Sequence, residues 1–323
     1  MLSANRSEAL ALAENNFHKH ADQKPRSFLS VTDLDAEETK EIINNGLEMK
    51  RAPDNFRNVL KGKALALLFQ KTSTRTRCSF ERAAGELGAS ANYIDWRTSN
   101  FMLADLCDEA KVLSRYYDMI VARLNDHRMF EVMAASSEVS VINGMCNLMH
   151  PCQALSDYMT MAEYFGANLK GLRVTYIGDG NNVCRSLAHG AINLGVHLTL
   201  CGPEGYKLDE ETMRAGRKCV SYVNHPVDAV RDADVIYTDT WISIGSESET
   251  AKRLNDFAFY QVNKELVATA PAHALIMHCL PAHPGQEITA DVLRSARSVV
   301  FDQAENRMHA QKALLRWLAE EDA

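Results

Sequence analysis

Short apolar runs alternate along this chain with longer stretches whose apolar residues recur every three or four positions. KALALLF (63–69) reads as a buried strand, and SFERAAGELG (79–88) as a helix stopped by Gly88. ANYIDW, DMIVAR and VSVING follow as strands, with CDEAKVLSRYY as a helix between the first two. HPCQALSDYMTMAEYFG (150–166) has the pattern of a long amphipathic helix. Beyond it, LRVTYIGDG, HLTLCG, ADVIYTD, ALIMHCLP and SVVFD give five strands with helices between them. AENRMHAQKALLRWLAEED closes the chain as a helix that packs back across the molecule. Nothing repeats at a fixed short period.

Alternation of strand and helix specifies parallel sheets covered on both faces. The expected fold class is α/β, with two doubly wound parallel-sheet domains joined by long helices. A length of 323 residues suits two domains. The boundary is expected in or near the helix at 150–165. That gives an N-terminal extension plus first domain at 1–155, a second domain at 156–304, and a returning C-terminal helix at 305–323. The polar stretch before residue 28 has room for one helix. In such sheets ligands sit beyond the carboxyl ends of the strands, so chemistry is sought just after each strand.

Composition narrows the field. A net charge of −7 argues against a general nucleic-acid binder but allows a local positive pocket for a small anion. No apolar stretch approaches the ~18 residues of a membrane span, and the start has no apolar segment of a secretory signal. The eight cysteines show no CxxC pair and no zinc spacing, which reads as reduced thiols of a cytoplasmic protein.

After the first strand comes KTSTRTR (71–77), with hydroxyls and arginines at a helix start. A helix N-terminus offers free N–H groups and partial positive charge, hydroxyls add donors, and Arg75 can bind an oxyanion bidentately. Arg77, two residues on, points to another face. Arg123 ends the third strand, and His150 caps a helix with Pro151 at its first position and Gln153 a turn later. Each alone is more often structural than functional. In the second half the strand ends carry a different set: Asp179, Asn181 and Asn182; Asp239, Trp241 and Ser243; His278, Cys279 and Leu280; Asp302, Glu305, Asn306 and Arg307. Acids, amides, a hydroxyl and a thiol suit a zwitterionic amine better than a phosphate. The first domain thus reads as anion-binding and the second as amino-acid-binding.

Taken together, STRTR, HPCQ, GDGNN, DTWIS, HCLP and FDQAENR resemble the ornithine carbamoyltransferases in order and spacing, from about Phe28 to the last helix. The resemblance implies transfer of the carbamoyl group of carbamoyl phosphate to the δ-amine of L-ornithine, giving L-citrulline and phosphate in arginine biosynthesis. It implies no metal and no cofactor, and a homotrimer or multiple of trimers with sites between subunits. By motif, Ser73, Thr74, Arg75 and Thr76 would bind the phosphate. Arg123, His150 and Gln153 would hold the carbamoyl and phosphate oxygens, and Asn182, Asp239 and Ser243 the ornithine. Cys279, Leu280 and Arg307 would line the reacting centre. Attack on the carbamoyl carbon builds charge on its oxygen, which donors such as Thr76, His150 and Arg307 would stabilise. Asp239 and Cys279 would orient the amine and help remove its proton.

Two departures from the family pattern stand out. Ile244 replaces a methionine at the ornithine side, a near-isosteric change. The loop that reaches a neighbouring subunit's carbamoyl phosphate site normally carries Gln, Gly and a Lys or similar polar residue. Here it reads WRTSNFMLAD, one residue short, with Asn100 near the Gln position, Phe101, Met102 and Leu103 in place of the polar tail, and Arg97 as the nearest charge. One explanation is an isoenzyme whose rebuilt pocket excludes a toxin that mimics both substrates. Other readings are a carbamoyltransferase for lysine, putrescine or an acylated ornithine, and a catalytically weak binding or regulatory relative. A dinucleotide site at IGDGNNV lacks the third glycine and the acid on the next strand.

Overall fold

The computed structural model describes residues 24–242 and 247–321. The first sheet contains β1 (Ala64–Phe69), β2 (Ser90–Asp95), β3 (Met119–Arg123) and β4 (Ser140–Met145), in the order β2-β1-β3-β4. The second contains β5 (Arg173–Ile177), β6 (His197–Cys201), β7 (Val220–Val223), β8 (Val235–Thr238) and β9 (Leu275–His278), in the order β7-β6-β5-β8-β9. Every pairing in both sheets is parallel. The α/β architecture expected from the sequence is therefore the one found. Strand order reverses between β1 and β3 and again between β5 and β8, and these reversals open the crevices where ligands bind.

Helix α1 (Ala36–Arg51) precedes the first sheet. Helices α2 (Thr74–Glu86), α3 (Leu106–Ser114) and α4 (His127–Ser136) connect its strands, and α5 (Pro151–Phe165) leads out of it. The second sheet carries α6 (Asn182–Leu194), α7 (Glu210–Ala215), α8 (Pro226–Val230), α9 (Thr250–Phe257), α10 (Lys264–Thr269) and α11 (Ala290–Leu293). Helix α12 (Val300–Glu321) returns to pack on α5, α1 and α2. In β1, Leu65 to Phe69 are all buried, the near-continuous apolar run that a strand covered on both faces requires. Each such side chain contributes roughly 1.5–3 kcal/mol by leaving water.

Three sequence expectations change. SVVFD is not a strand: Ser298 makes a single bridge to Ile276, and α12 begins two residues later at Val300. Val299 and Val300 are buried, and a short buried apolar run has no period that separates strand from helix. The fifth strand is instead β7 at the sheet edge, whose half-exposed residues weaken the apolar signal. The helix after β1 starts five residues earlier than expected, so the Thr/Arg cluster is its first turn.

Helix α5 is also not amphipathic in place, because every residue from Pro151 to Ala162 is buried. Its polar groups find partners on α12: Ser156 Oγ donates to the Gln303 carbonyl at 3.0 Å, and Asn306 Nδ2 to Thr160 Oγ1 at 3.0 Å. On the other side a Cβ at Gly190 of α6 would stand 2.2 Å from the Tyr158 ring. Only glycine lets the two helices cross that closely.

Candidate active site

A cavity of about 790 Å³ opens between the two sheets, lined by residues that follow β1, β3, β4, β5, β8 and β9, together with α5 and α12. One wall is cationic. Ser73 caps α2, its Oγ accepting the Thr76 N–H at 3.2 Å, which leaves the first N–H groups of the helix facing outward. Arg75 and Thr76 line the cavity from this first turn, and a register shift at the end of β3 places Arg123 beside them. From α12, Arg307 Nη1 donates to Gln153 Oε1 at 2.6 Å and Nη2 to Thr76 Oγ1 at 3.1 Å.

Arg123, His150 and Arg307 are buried, and each keeps a nitrogen with no partner among the described residues: Nε of both arginines and Nδ1 of the histidine. Burial, then Arg307 and Arg75, lower Arg123 to about 10, so it stays charged at neutral pH. Burial, reinforced by Arg307, Arg123 and Arg75, holds His150 well below the usual histidine value, so its ring is neutral. Buried cations with unused donors are stable only when an anion completes them.

The opposite wall is built around a carboxylate. Asp239 Oδ1 accepts the Cys279 thiol at 2.9 Å and the Thr240 N–H at 2.8 Å, and Oδ2 accepts Asn181 Nδ2 at 2.9 Å. Asn181 is itself fixed: its Oδ1 caps α6 and accepts the Tyr176 hydroxyl at 3.2 Å. Asn182 Nδ2 donates to the Cys146 carbonyl at 2.7 Å, bridging to the first sheet. Burial and the Asp239 charge push the Cys279 thiol well above its usual value. Cys279 is therefore a neutral hydrogen-bond donor rather than a thiolate nucleophile.

Leu280 has φ 57°, a conformation that costs a non-glycine residue energy and is seen where surrounding structure imposes it. What imposes it is beneath the cavity. The Leu280 N–H donates to His278 Nδ1 at 2.9 Å, so His278 carries its proton on Nε2 and gives it to Glu287 Oε1 at 3.1 Å. Glu287 is fully buried and also accepts the His283 N–H at 2.5 Å. Asp239, His278 and Cys279 bring ligand-type atoms within 4.8 Å of one another. Both His278 nitrogens are already engaged, so the trio is organised as a hydrogen-bonded support rather than a metal centre. Gly180 lies where a Cβ would meet the Lys207 and Leu208 backbone at 2.6 Å, so this wall of the cavity closes only over glycine.

Of the residues singled out in the sequence, Ser73, Arg75, Thr76, Arg123, His150, Gln153, Asn182, Asp239, Cys279, Leu280 and Arg307 come together on this cavity. The Thr74 side chain is exposed and outside the lining. Asn100 opens a short 3-10 turn at Asn100–Met102, is exposed, and does not reach the cavity of its own chain. Ser243 and Ile244 lie outside the described residues. Arg77 stacks on Tyr93 at 4.0 Å and bonds Glu81 at 2.8 Å, as its position on another face led one to expect. Arg97 is paired within its own chain, with two side-chain hydrogen bonds to Asp95 at 3.0 and 2.6 Å. Phe101 is buried against Trp96, while Met102 and Leu103 are exposed, Leu103 by 88%. Asn125, Asn147 and His283 also line the cavity. Asn125 lies two residues after Arg123 and His283 two after the HCLP motif, so nearness to an assigned strand end was the signal that could have found them.

A cationic cradle faces a carboxylate and a thiol across one cavity between two parallel sheets, which suits an anion on one side and an amine on the other. Residues 26–163 match the aspartate/ornithine carbamoyltransferase carbamoyl-P binding domain, and residues 170–318 match the Asp/Orn binding domain of the same family. The chain belongs to the aspartate/ornithine carbamoyltransferase family. It is 45% identical over 300 residues to the anabolic ornithine carbamoyltransferase of Pyrococcus furiosus, covering 90% of this chain and 95% of that one. Among solved structures, ornithine carbamoyltransferase from P. furiosus superposes with a TM-score of 0.85 at 45% identity, covering 90% of this chain and 96% of that one. The enzyme from Thermus thermophilus gives 0.84 at 37% identity, covering 92% and 99%. The anabolic enzyme from Campylobacter jejuni gives 0.86 at 32% identity, covering 91% and 99%.

Proposed function

We infer that this chain transfers the carbamoyl group of carbamoyl phosphate to the δ-amine of L-ornithine, giving L-citrulline and phosphate. The observation that carries the reading is the opposed polarity of one cavity, with unpaired buried donors on one wall and Asp239 with Cys279 on the other. The phosphate is held by the α2 N-terminus, with Ser73, Arg75 and Thr76, and by Arg123. His150, Gln153 and Arg307 address the carbamoyl oxygen. A neutral His150 donates a hydrogen bond there without adding a fourth cation to the three arginines. The deprotonated δ-nitrogen attacks the carbamoyl carbon, a C–N bond forms, and the C–O bond to phosphate breaks. Charge that gathers on the carbamoyl oxygen is met by donors already in place, which is commonly the largest catalytic contribution. Asp239 receives or orients the amine proton, Asn182 holds the amino-acid end, and Cys279 and Leu280 close the reacting centre. Holding two substrates in line supplies much of the remaining rate.

We assign carbamoyl phosphate binding to residues up to about 155, ornithine binding to 156–304, and the tie between them to the last helix. The working unit is a homotrimer or a multiple of it, in which the loop at Asn100 completes a neighbour's site, and the step belongs to arginine biosynthesis in the cytoplasm. Among the described residues no helix is long and apolar enough to cross a membrane. The direct test is citrulline formation from carbamoyl phosphate with ornithine, compared with ureido product from lysine and putrescine. Turnover with ornithine that Arg75→Ala lowers by about 10³ is expected. Faster turnover of lysine or putrescine would reassign the acceptor.

A further inference from the structure

Behind the two walls lies a buried carboxylate that does not itself line the cavity. Asp157, on the second turn of α5, is fully buried. Its Oδ1 accepts Gln153 Nε2 at 2.8 Å and Gln303 Nε2 at 2.7 Å, and its Oδ2 accepts the Tyr237 hydroxyl at 3.1 Å. A glutamine amide has one accepting and one donating end. With both NH₂ groups turned to Asp157, both oxygens must turn away. Gln153 Oε1 meets Arg307 Nη1 at 2.6 Å, and Gln303 Oε1 meets the His278 N–H at 2.8 Å. Arg307 belongs to the anion wall, and His278 precedes Cys279 on the amine wall. A single acceptor thus sets the orientation of one group in each half of the site.

We propose that Asp157 is a positioning residue that couples the two half-sites by fixing the Gln153 amide toward Arg307 and the Gln303 amide toward His278. Loss of the Oδ1 acceptor leaves both buried NH₂ groups without a partner, so each glutamine gains by leaving its place, and with it goes the oxygen that holds Arg307 or the His278 N–H. The two losses share one cause, so the walls loosen together. Burial raises Asp157 to about 7. A proton on Oδ2, facing the Tyr237 hydroxyl, still leaves Oδ1 accepting both amides, so the device works in either protonation state.

The proposal rests on the carbamoyl-transfer reading, and its test is therefore a binding measurement as well as a rate. Affinity for carbamoyl phosphate is measured by calorimetry, and KM for ornithine by citrulline formation, for Gln303→Leu, Asp157→Asn, Asp157→Leu and the Gln303→Leu/Asp157→Leu pair. Gln303 does not line the cavity, yet Gln303→Leu is expected to weaken carbamoyl phosphate binding about tenfold and to add less than about twofold on top of Asp157→Leu. Asp157→Leu is expected to weaken both substrates more than about tenfold. Asp157→Asn, which retains an accepting oxygen, should lose at least about fivefold less than Asp157→Leu. Should Asp157→Leu not fold, Gln303→Leu and Asp157→Asn decide the matter alone. A folded Gln303→Leu protein that binds carbamoyl phosphate like the parent overturns the coupling, as does a lowered melting temperature with unchanged affinities. A parent protein that binds carbamoyl phosphate but makes no citrulline would instead overturn the acceptor assignment and leave this test standing.

Discussion

The anion wall is left electrostatically unfinished, whereas the amine wall is already closed on itself. Around Arg123, His150 and Arg307 three buried nitrogens lack partners among the described residues, and burial, with the neighbouring arginine charges added, lowers both Arg123 and His150. Around Asp239, by contrast, both carboxylate oxygens are occupied by Cys279, Thr240 and Asn181. An incomplete cluster gains most from its ligand, and a satisfied one gains only by exchanging partners. The difference predicts that the empty protein binds the anion more tightly than the amine. The anion relieves the repulsion among the arginines and presents its carbamoyl carbon to a wall that is already organised.

The sharpest way to break this contrast is to remove a cation from the anion wall. Arg307→Leu deletes the donors to Gln153 and Thr76 along with the charge. It is expected to lower kcat by about 10³ and to abolish measurable carbamoyl phosphate binding in calorimetry, with circular dichroism showing a folded protein. Retained affinity would mean that Arg75 and Arg123 hold the anion alone.

Asp239→Asn attacks the other wall and should do less. The amide keeps one accepting oxygen for Cys279 or Thr240 but loses the charge that meets the amine. A fall in kcat/KM for ornithine of about 10² is expected, with carbamoyl phosphate affinity changed less than about twofold. Equal losses for both substrates would show that the walls are not independent in their electrostatics, and would enlarge the part played by Asp157.

The same contrast explains what was legible in the sequence. Most of the anion wall comes from short motifs at the ends of β1 and β3 and the start of α5, with Arg307 added from α12, and the motif resemblance had already grouped Ser73, Arg75, Thr76, Arg123, His150, Gln153 and Arg307, all of which line one cavity. Strand patterns carried the fold for a related reason: β1, β3 and β4 are buried on both faces and read as continuous apolar runs. The edge strand β7 and the helix start at Val300 were misread because half-exposed edge residues and short buried runs lose their period. Nor could the sequence reveal what lies behind the walls. Asp157, Gln303 and Tyr237 are 80 or more positions apart in two of their three pairings, and Asp157 has the spacing of an ordinary exposed residue on an amphipathic helix. Only the packing of α5 against α12 turns it inward.

The smallest expected effect concerns the proton that His150 does not carry. Burial and the three arginines depress its folded-state value, while in the unfolded chain it titrates near 6.5. Above that pH both states are neutral there and His150 contributes no pH dependence. As pH falls below about 6.5, the unfolded state takes up a proton that the folded state refuses, so stability declines until the folded-state value is reached. Half-buried His189 and buried His309 are depressed in the same direction, so the parent melting curve sums all three. His150→Gln isolates one of them: its melting temperature should fall less steeply than the parent's between pH 7 and 5.5 while matching the parent's trend above pH 7. Carbamoyl phosphate should have a related effect in the parent, because its negative charge beside His150 offsets the arginines and brings the folded-state value back up. Parallel melting curves for parent and variant would show instead that the imidazole is solvated, and would return His150 to the role of a cap on α5.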